Sequence, residues 1–268
     1  MILRDMLEFA AARYPENPAI VDRDRRYTYA EWDERVSTVA NALRSLGVGK
    51  GDRVVQVIKN REENCAIHMA CQKLGAVNTP INFRWTSGEI EFCVNDAEAR
   101  LVVIEEATAE RVLSVRDEFD SDPRVLFVGP DAPEGVDSFD EAVEAAEHTR
   151  PSEEVEETDI SLMLYTSGTT GQPKGVPRSQ RAEYAATIAH IVEHRYALGE
   201  RRDRVLCQRR GGAPGRYRGG DGREGIVGQG RVRFRATGAL CRAQRARRRR
   251  LFRRGRRGGR AYPAFRRG

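Results

Sequence analysis

The chain has 268 residues, 40% of them hydrophobic and 32% charged, enough to bury a core in one large domain or two small ones. Its formal net charge of +6 joins two opposite parts: residues 201–268 hold 24 arginines, no lysine and three acids (+21), and residues 1–200 hold 22 basic and 37 acidic residues (−15). The total therefore does not describe a basic protein that seeks nucleic acid. No apolar run approaches the roughly 18 residues of a membrane helix, and Asp5 and Glu8 interrupt the stretch that a signal peptide needs. Cys65, Cys71, Cys93, Cys207 and Cys241 are odd in number and lack CxxC spacing, which speaks against a disulfide framework or a zinc ribbon. The expectation is a soluble, cytoplasmic chain with reduced thiols.

In chain order, Leu3, Leu7, Ala10 and Ala11 predict an opening helix that stops at Pro15, and Ala19 to Val21 a short strand. Thr28 and Glu31 have capping-box spacing ahead of a helical pattern through Trp32, Val36, Val39, Leu43 and Leu46, closed by Gly47. Arg53 to Ile58 reads as a strand, Glu62 to Leu74 as a helix and Ala76 to Ile81 as a strand. Thr86 and Glu89 cap a further helix. Leu101 to Ile104 and Val125 to Val128 are apolar runs suited to the middle of a sheet. Phe139 to Glu147 predicts a short helix, Pro151 to Asp159 an acidic, solvated linker, and Ile160 to Tyr165 a strand. A Gly-rich loop and a helix from Ser179 to His194 complete the pattern. This alternation predicts an α/β fold with mainly parallel sheets flanked by helices.

After Glu200 the pattern ends. The segment holds 14 of the chain's 25 glycines and four consecutive arginines at Arg247 to Arg250, so disorder is expected. The chain divides on this reading into residues 1–200 and a low-complexity Arg/Gly-rich tail, 201–268.

The segment Tyr165-Thr-Ser-Gly-Thr-Thr-Gly-Gln-Pro-Lys-Gly175 has the composition of a polyphosphate site. Gly168 and Gly171 let backbone N–H groups approach oxygens with no Cβ in the way. Thr166, Ser167, Thr169 and Thr170 supply hydroxyls, and Lys174 supplies a mobile cation. It is not a Walker A loop, whose Gly-x4-Gly-Lys-Ser/Thr spacing is missing. A flexible linker would need neither Pro173-Lys174-Gly175 nor the strand before it.

Residues 165–176 resemble the phosphate-binding signature of the AMP-forming adenylating enzymes, among them the acyl-CoA synthetases. Tyr27-Thr-Tyr-Ala-Glu-Trp32, Leu46-Gly-Val-Gly-Lys-Gly-Asp-Arg-Val54 and Leu74-Gly-Ala-Val-Asn-Thr-Pro-Ile-Asn82 are similar to the start of such a synthetase. The resemblance covers about residues 1–198. It implies that Thr166, Ser167, Gly168, Thr169, Thr170, Gly171 and Lys174 hold the phosphates of ATP. It also implies magnesium with the ATP, a carboxylic acid (a fatty acid first) and CoA as partners, and transfer of the acyl group through an acyl-adenylate. Where the family often has a His just past the signature, this chain has Gln180. Residues 201–268 resemble none of the family's later motifs, including its C-terminal catalytic lysine, so no catalytic residue is assigned. The expectation is a front portion of the enzyme, inactive by itself, with a tail composed like an out-of-frame translation.

His190 and His194 share a helix face, but no third ligand completes a metal set, and none is assigned. Cys65 and Cys71 lie about 240° apart on their helix and read as core residues, with His68 between them. The alternatives are an adenylating enzyme with a non-CoA acceptor, or an RNA-binding protein acting through the tail, where Arg216-Tyr-Arg-Gly-Gly resembles an RGG segment. No specific nucleic acid is expected, only non-specific attraction to polyanions.

Overall fold

The computed structural model describes residues 2–166 and 172–194, and three short strands at residues 216–218, 224–228 and 231–234. Two compact units result, Met1–Gln208 and Arg209–Gly268.

The first unit opens with helix α1 (Leu3–Arg13), a hairpin of β1 (Pro18–Asp22) and β2 (Arg25–Thr28), and helix α2 (Tyr29–Ser45). The predicted capping box is present: Thr28 Oγ1 accepts the Glu31 N–H at 3.3 Å and Glu31 Oε2 accepts the Thr28 N–H at 2.7 Å. Gly47, at φ +85°, takes the left-handed conformation that turns the chain out of α2. Strand β2 was not foreseen, because Arg25-Arg26-Tyr27-Thr28 shows no apolar alternation. Its Tyr27 ring instead meets Trp32 at 5.5 Å, which ties the hairpin to α2.

β3 (Arg53–Val57), α3 (Glu62–Leu74), β4 (Val77–Pro80), α4 (Ser87–Asp96), β5 (Ala99–Glu105), α5 (Glu106–Leu113), β6 (Arg124–Val128), β7 (Asp137–Ser138) and α6 (Phe139–Glu144) follow. The last elements are β8 (Ile160–Thr166), β9 (Lys174–Ser179) and α7 (Gln180–His194). Seven strands form one sheet in the order β7-β6-β5-β3-β4-β8-β9, parallel throughout except where β9 runs antiparallel to β8. The α/β expectation holds. The central strands are apolar on both faces because helices cover both. Val54, Leu101, Val103, Leu126 and Val128 point into a cluster with α2, α3 and α6, whereas Val55, Val57, Val102, Ile104, Val125 and Phe127 point into one with α4 and α5. A period of two thus splits each run between two cores.

One expectation needs correction. The acidic run Glu153–Asp159 is a strap rather than a free linker: Arg4 Nη1 donates to the Glu153 carbonyl at 2.6 Å, and Arg44 pairs with the Glu153 carboxylate. Lys50 Nζ reaches the Glu154 carbonyl at 3.1 Å and Asp159 Oδ2 at 2.8 Å. The basic partners lie far away in sequence, so the run alone does not show them. In the second unit, β10 (Arg216–Arg218), β11 (Glu224–Gly228) and β12 (Arg231–Phe234) form an antiparallel sheet, and the rest of the tail, on which the expectation of disorder falls, lies outside the described residues. Arg231-Val-Arg-Phe234 does alternate locally, a pattern that the segment's average composition hides.

Candidate functional site

β8 is buried just past its first residue and ends in solvent. Ser161 and Leu162 are enclosed and Thr166 is exposed at the strand's C-terminal end, the edge where doubly wound sheets bind ligands. The chain then returns as β9, with Thr166 opposite Lys174 and Tyr165 opposite Gly175 in the ladder. The two ends of the candidate loop are therefore brought face to face. Lys174 is exposed and Pro173, beside it, is buried. Ser167, Gly168, Thr169, Thr170 and Gly171 lie outside the described residues. Of the predicted set, the structure places Thr166 and Lys174 together at the mouth of a hairpin.

The sequence predicts a loop followed by a helix, but strand β9 intervenes. Lys174 belongs to that strand, and α7 begins six residues later. β9 is the outermost strand of the sheet, where Pro177 is tolerated because one side of the strand has no ladder to feed. Gly175 sits in close packing: a Cβ there would lie 3.3 Å from both Met163 Sδ and Tyr165 Cζ. Tyr165, the first residue of the signature, turns back toward α4 and donates its hydroxyl to Asp96 Oδ2 at 2.6 Å. Burial, and then that carboxylate, raise its phenol above the ordinary value. Its role is to anchor the hairpin; nothing in the sequence marks Asp96 as its partner.

Behind the hairpin, Gln72, Ser161 and Gln180 are all fully buried. Gln72 Oε1 accepts from Ser161 Oγ at 2.7 Å and from Gln180 Nε2 at 2.9 Å. Gln56 Nε2 donates to Asn78 Oδ1 at 2.5 Å, and Asn78 Nδ2 lies 2.8 Å from His68 Nδ1. Burial pushes the His68 imidazole down to about 4. His68 is thus half-buried polar structure between Cys65, which packs at the core's margin, and Cys71, which is fully enclosed. Burial pushes the Cys71 thiol up to about 12. Both cysteines, and Cys93, are free thiols.

At the C-terminal ends of β3 and β5 a second polar group gathers that the sequence did not announce. Arg61 Nε meets Glu63 at 2.7 Å, Arg35 Nε meets Glu62 at 2.9 Å, and Arg25 Nη1 reaches Glu62 at 3.2 Å and Glu63 at 2.9 Å. Arg25 and Arg35 reach these acids because the hairpin and α2 pack across the start of α3, whereas Arg61 and Glu63 are only two residues apart. Among the described residues, no group of three or more His, Cys, Asp or Glu is placed to hold a metal ion. The side chain of His194 lies outside the described residues.

A mostly parallel α/β sheet thus carries Thr166 and Lys174, the described ends of the Ser/Thr/Gly-rich segment, at the C-terminal end of β8. Residues 7–209 match the family described as AMP-binding enzyme, and the chain belongs to that family. It is 32% identical over 206 residues to the long-chain-fatty-acid–CoA ligase FadD13 of Mycobacterium tuberculosis, covering 75% of this chain and 39% of that protein. It is 29% identical over 201 residues to 4-hydroxybutyrate–CoA ligase 2 of Metallosphaera sedula, covering 72% and 36% respectively. The solved structure of the anthranilate CoA ligase AuaEII in complex with anthranoyl-AMP superposes with a TM-score of 0.67 at 26% identity, covering 70% of this chain and 36% of that one. The chain thus spans little more than a third of the length of these relatives. Among the described residues, no helix is long and apolar enough to cross a membrane.

Proposed function

We propose that residues 1–200 are the polyphosphate-binding part of an acid–CoA ligase. In the reaction envisaged, a carboxylate oxygen attacks the α-phosphorus of ATP and pyrophosphate leaves. The sulfur of CoA then attacks the acyl carbonyl, and AMP leaves. The role of this hairpin is to hold the β- and γ-phosphates through Lys174, the hydroxyl of Thr166 and the loop between them, Ser167 to Gly171, as the chain's family resemblance implies. A cation and a hydroxyl held at such a site act where negative charge moves onto the leaving pyrophosphate. A fatty acid is the first substrate to test. Magnesium would arrive with ATP, and since no described cluster of protein donors fits it, no step is assigned to it.

The observation that carries the reading is the pairing of Thr166 with Lys174 across the ladder at the C-terminal edge of the sheet. It is tested by calorimetric titration of the 268-residue chain with pyrophosphate and with ATP. A charge-assisted hydrogen bond contributes about 1.5–3 kcal/mol, so Lys174→Ala should weaken binding about 10- to 100-fold. Equal affinity in the two proteins would refute the assignment. We take residues 201–268 to have no part in this chemistry. The coding sequence beyond codon 200, translated in its other two frames, tests this: restoration of the family's later motifs supports it.

A further inference from the structure

The sheet is unevenly joined. β5 and β6 share five partner pairs, but β4 and β8 share one, Asn78 with Leu162. The hairpin that carries Thr166 and Lys174 is thus attached to the parallel sheet through a seam with little backbone ladder. Side chains take over there. Gln72, on α3, is fully buried, and its amide makes four hydrogen bonds. Its Oε1 accepts from Ser161 Oγ, at the foot of β8, and from Gln180 Nε2, in the residue directly after β9. Its Nε2 donates to the carbonyls of His68 and Ser161, both at 3.3 Å. One amide therefore grips both legs of the hairpin at their root. The Gln180 N–H adds a bond to the Asp159 carbonyl at 2.8 Å, which fixes the residue just before β8 as well.

We propose that Gln72 is a positioning residue that sets the hairpin, and through it Thr166 and Lys174, at the working angle to the sheet. The proposal rests on the polyphosphate reading of that hairpin and names the residue that aligns it. Thr166 stands five residues beyond Ser161 along β8, about 16 Å at about 3.3 Å per residue. A small tilt at the root therefore becomes a larger displacement at the tip. Nothing apolar can replace the grip, because the Ser161 hydroxyl and the Gln180 amide are buried and would be left without an acceptor. Gln180 occupies the position where the family resemblance leads one to expect histidine, and either side chain can donate one hydrogen bond to Gln72 Oε1.

The test is hydrogen exchange combined with pyrophosphate titration on the 268-residue chain, comparing wild type, Gln72→Met, Ser161→Ala and Gln180→His. Gln72→Met keeps length and burial but orphans two buried donors. It should speed exchange in 161–166 and 174–179 about tenfold or more, leave 101–105 and 124–128 within about twofold, and weaken pyrophosphate binding about tenfold. Ser161→Ala should give the same local pattern with a smaller amplitude, and it decides the matter if Gln72→Met does not fold. Gln180→His should retain wild-type exchange and binding. Acceleration spread evenly over all strands, or none in the hairpin, would overturn the proposal, as would loosening of the hairpin with unchanged pyrophosphate affinity. If wild type itself binds no pyrophosphate, the polyphosphate reading falls, and with it the proposal's purpose, while the exchange pattern still shows whether Gln72 holds the seam.

Discussion

In an Asp33→Leu variant, a buried lysine loses its nearest acid. The Lys73 side chain is 1% exposed, with Nζ 2.7 Å from Asp33 Oδ1 and 3.5 Å from Glu8 Oε1. Asp33 Oδ2 also accepts from Arg150 Nη2 at 2.6 Å, so one carboxylate joins α2 and α3 to the residue that leads into the acidic strap. Breaking one side of a buried ion pair costs about 3–5 kcal/mol, because the remaining charge is left uncompensated. Glu8 stays as a weaker partner, which places the expectation near the lower end, about 3 kcal/mol. Arg150 is more than half exposed and adds little when it loses Asp33. For a body of about 200 residues, about 3 kcal/mol corresponds to a fall of about 6–12 °C in Tm. The double variant Asp33→Leu/Lys73→Met removes both charges and should regain most of the loss, since apolar replacements of buried pairs are often neutral. Urea and thermal melts of wild type, Asp33→Leu, Lys73→Met and the double variant, followed by tryptophan fluorescence, give the coupling energy. The reasoning fails if Asp33→Leu lies within about 1 kcal/mol of wild type, or if the double variant is no more stable than the single one.

His68 gives a pH dependence of defined sign. Burial lowers its folded pKa to about 4, so on acidification the unfolded chain takes up the proton first; stability present above about pH 6.5 is lost as pH falls toward 4, about 2 kcal/mol of it by pH 5. Urea melts at pH 7 and pH 5 should show this loss in wild type and not in His68→Gln, and equal losses would reject it. The 268-residue chain alone is expected to show no carboxylate-dependent pyrophosphate exchange above a Lys174→Ala control, because positioning groups act as a unit and the proposal gives residues 201–268 no part in the chemistry. Exchange clearly above that control reverses this expectation. The tail's net +21 should bind RNA of any sequence, with affinity falling by orders of magnitude between about 50 and 200 mM salt. Selective binding that survives high salt and is lost on Tyr217→Ala, Phe234→Ala and Phe252→Ala substitution would show a functional RNA module instead.

The parallel α/β body was legible because its information is local and periodic. Capping boxes at Thr28/Glu31 and Thr86/Glu89, apolar runs at β5 and β6, and the Gly/Ser/Thr/Lys signature each lie within a dozen residues. The short elements were not legible for the same reason. β9 forms because β8 offers it an edge, and β2 forms because Trp32 receives Tyr27, so neither strand carries a strong pattern of its own. The eight-residue α5 follows β5 with no intervening turn signal, which merges it with the strand in any one-dimensional reading.

The same division runs through the site. Residue types alone lead to the expectation of polyphosphate chemistry at Thr166 and Lys174, because hydroxyls, glycines and a lysine fall in one short segment. That these two residues face each other across a ladder is decided by the antiparallel return of β9, which only pairing in three dimensions specifies. That Tyr165 anchors on Asp96, that Gln72 holds Ser161 and Gln180, and that the acidic strap is pinned by Arg4, Arg44 and Lys50 are likewise tertiary facts. A polar side chain's partner is chosen by where the fold brings donors and acceptors out of water together. A linear sequence records the groups available, and the packing of β8 against β4 and α3 decides which of them meet.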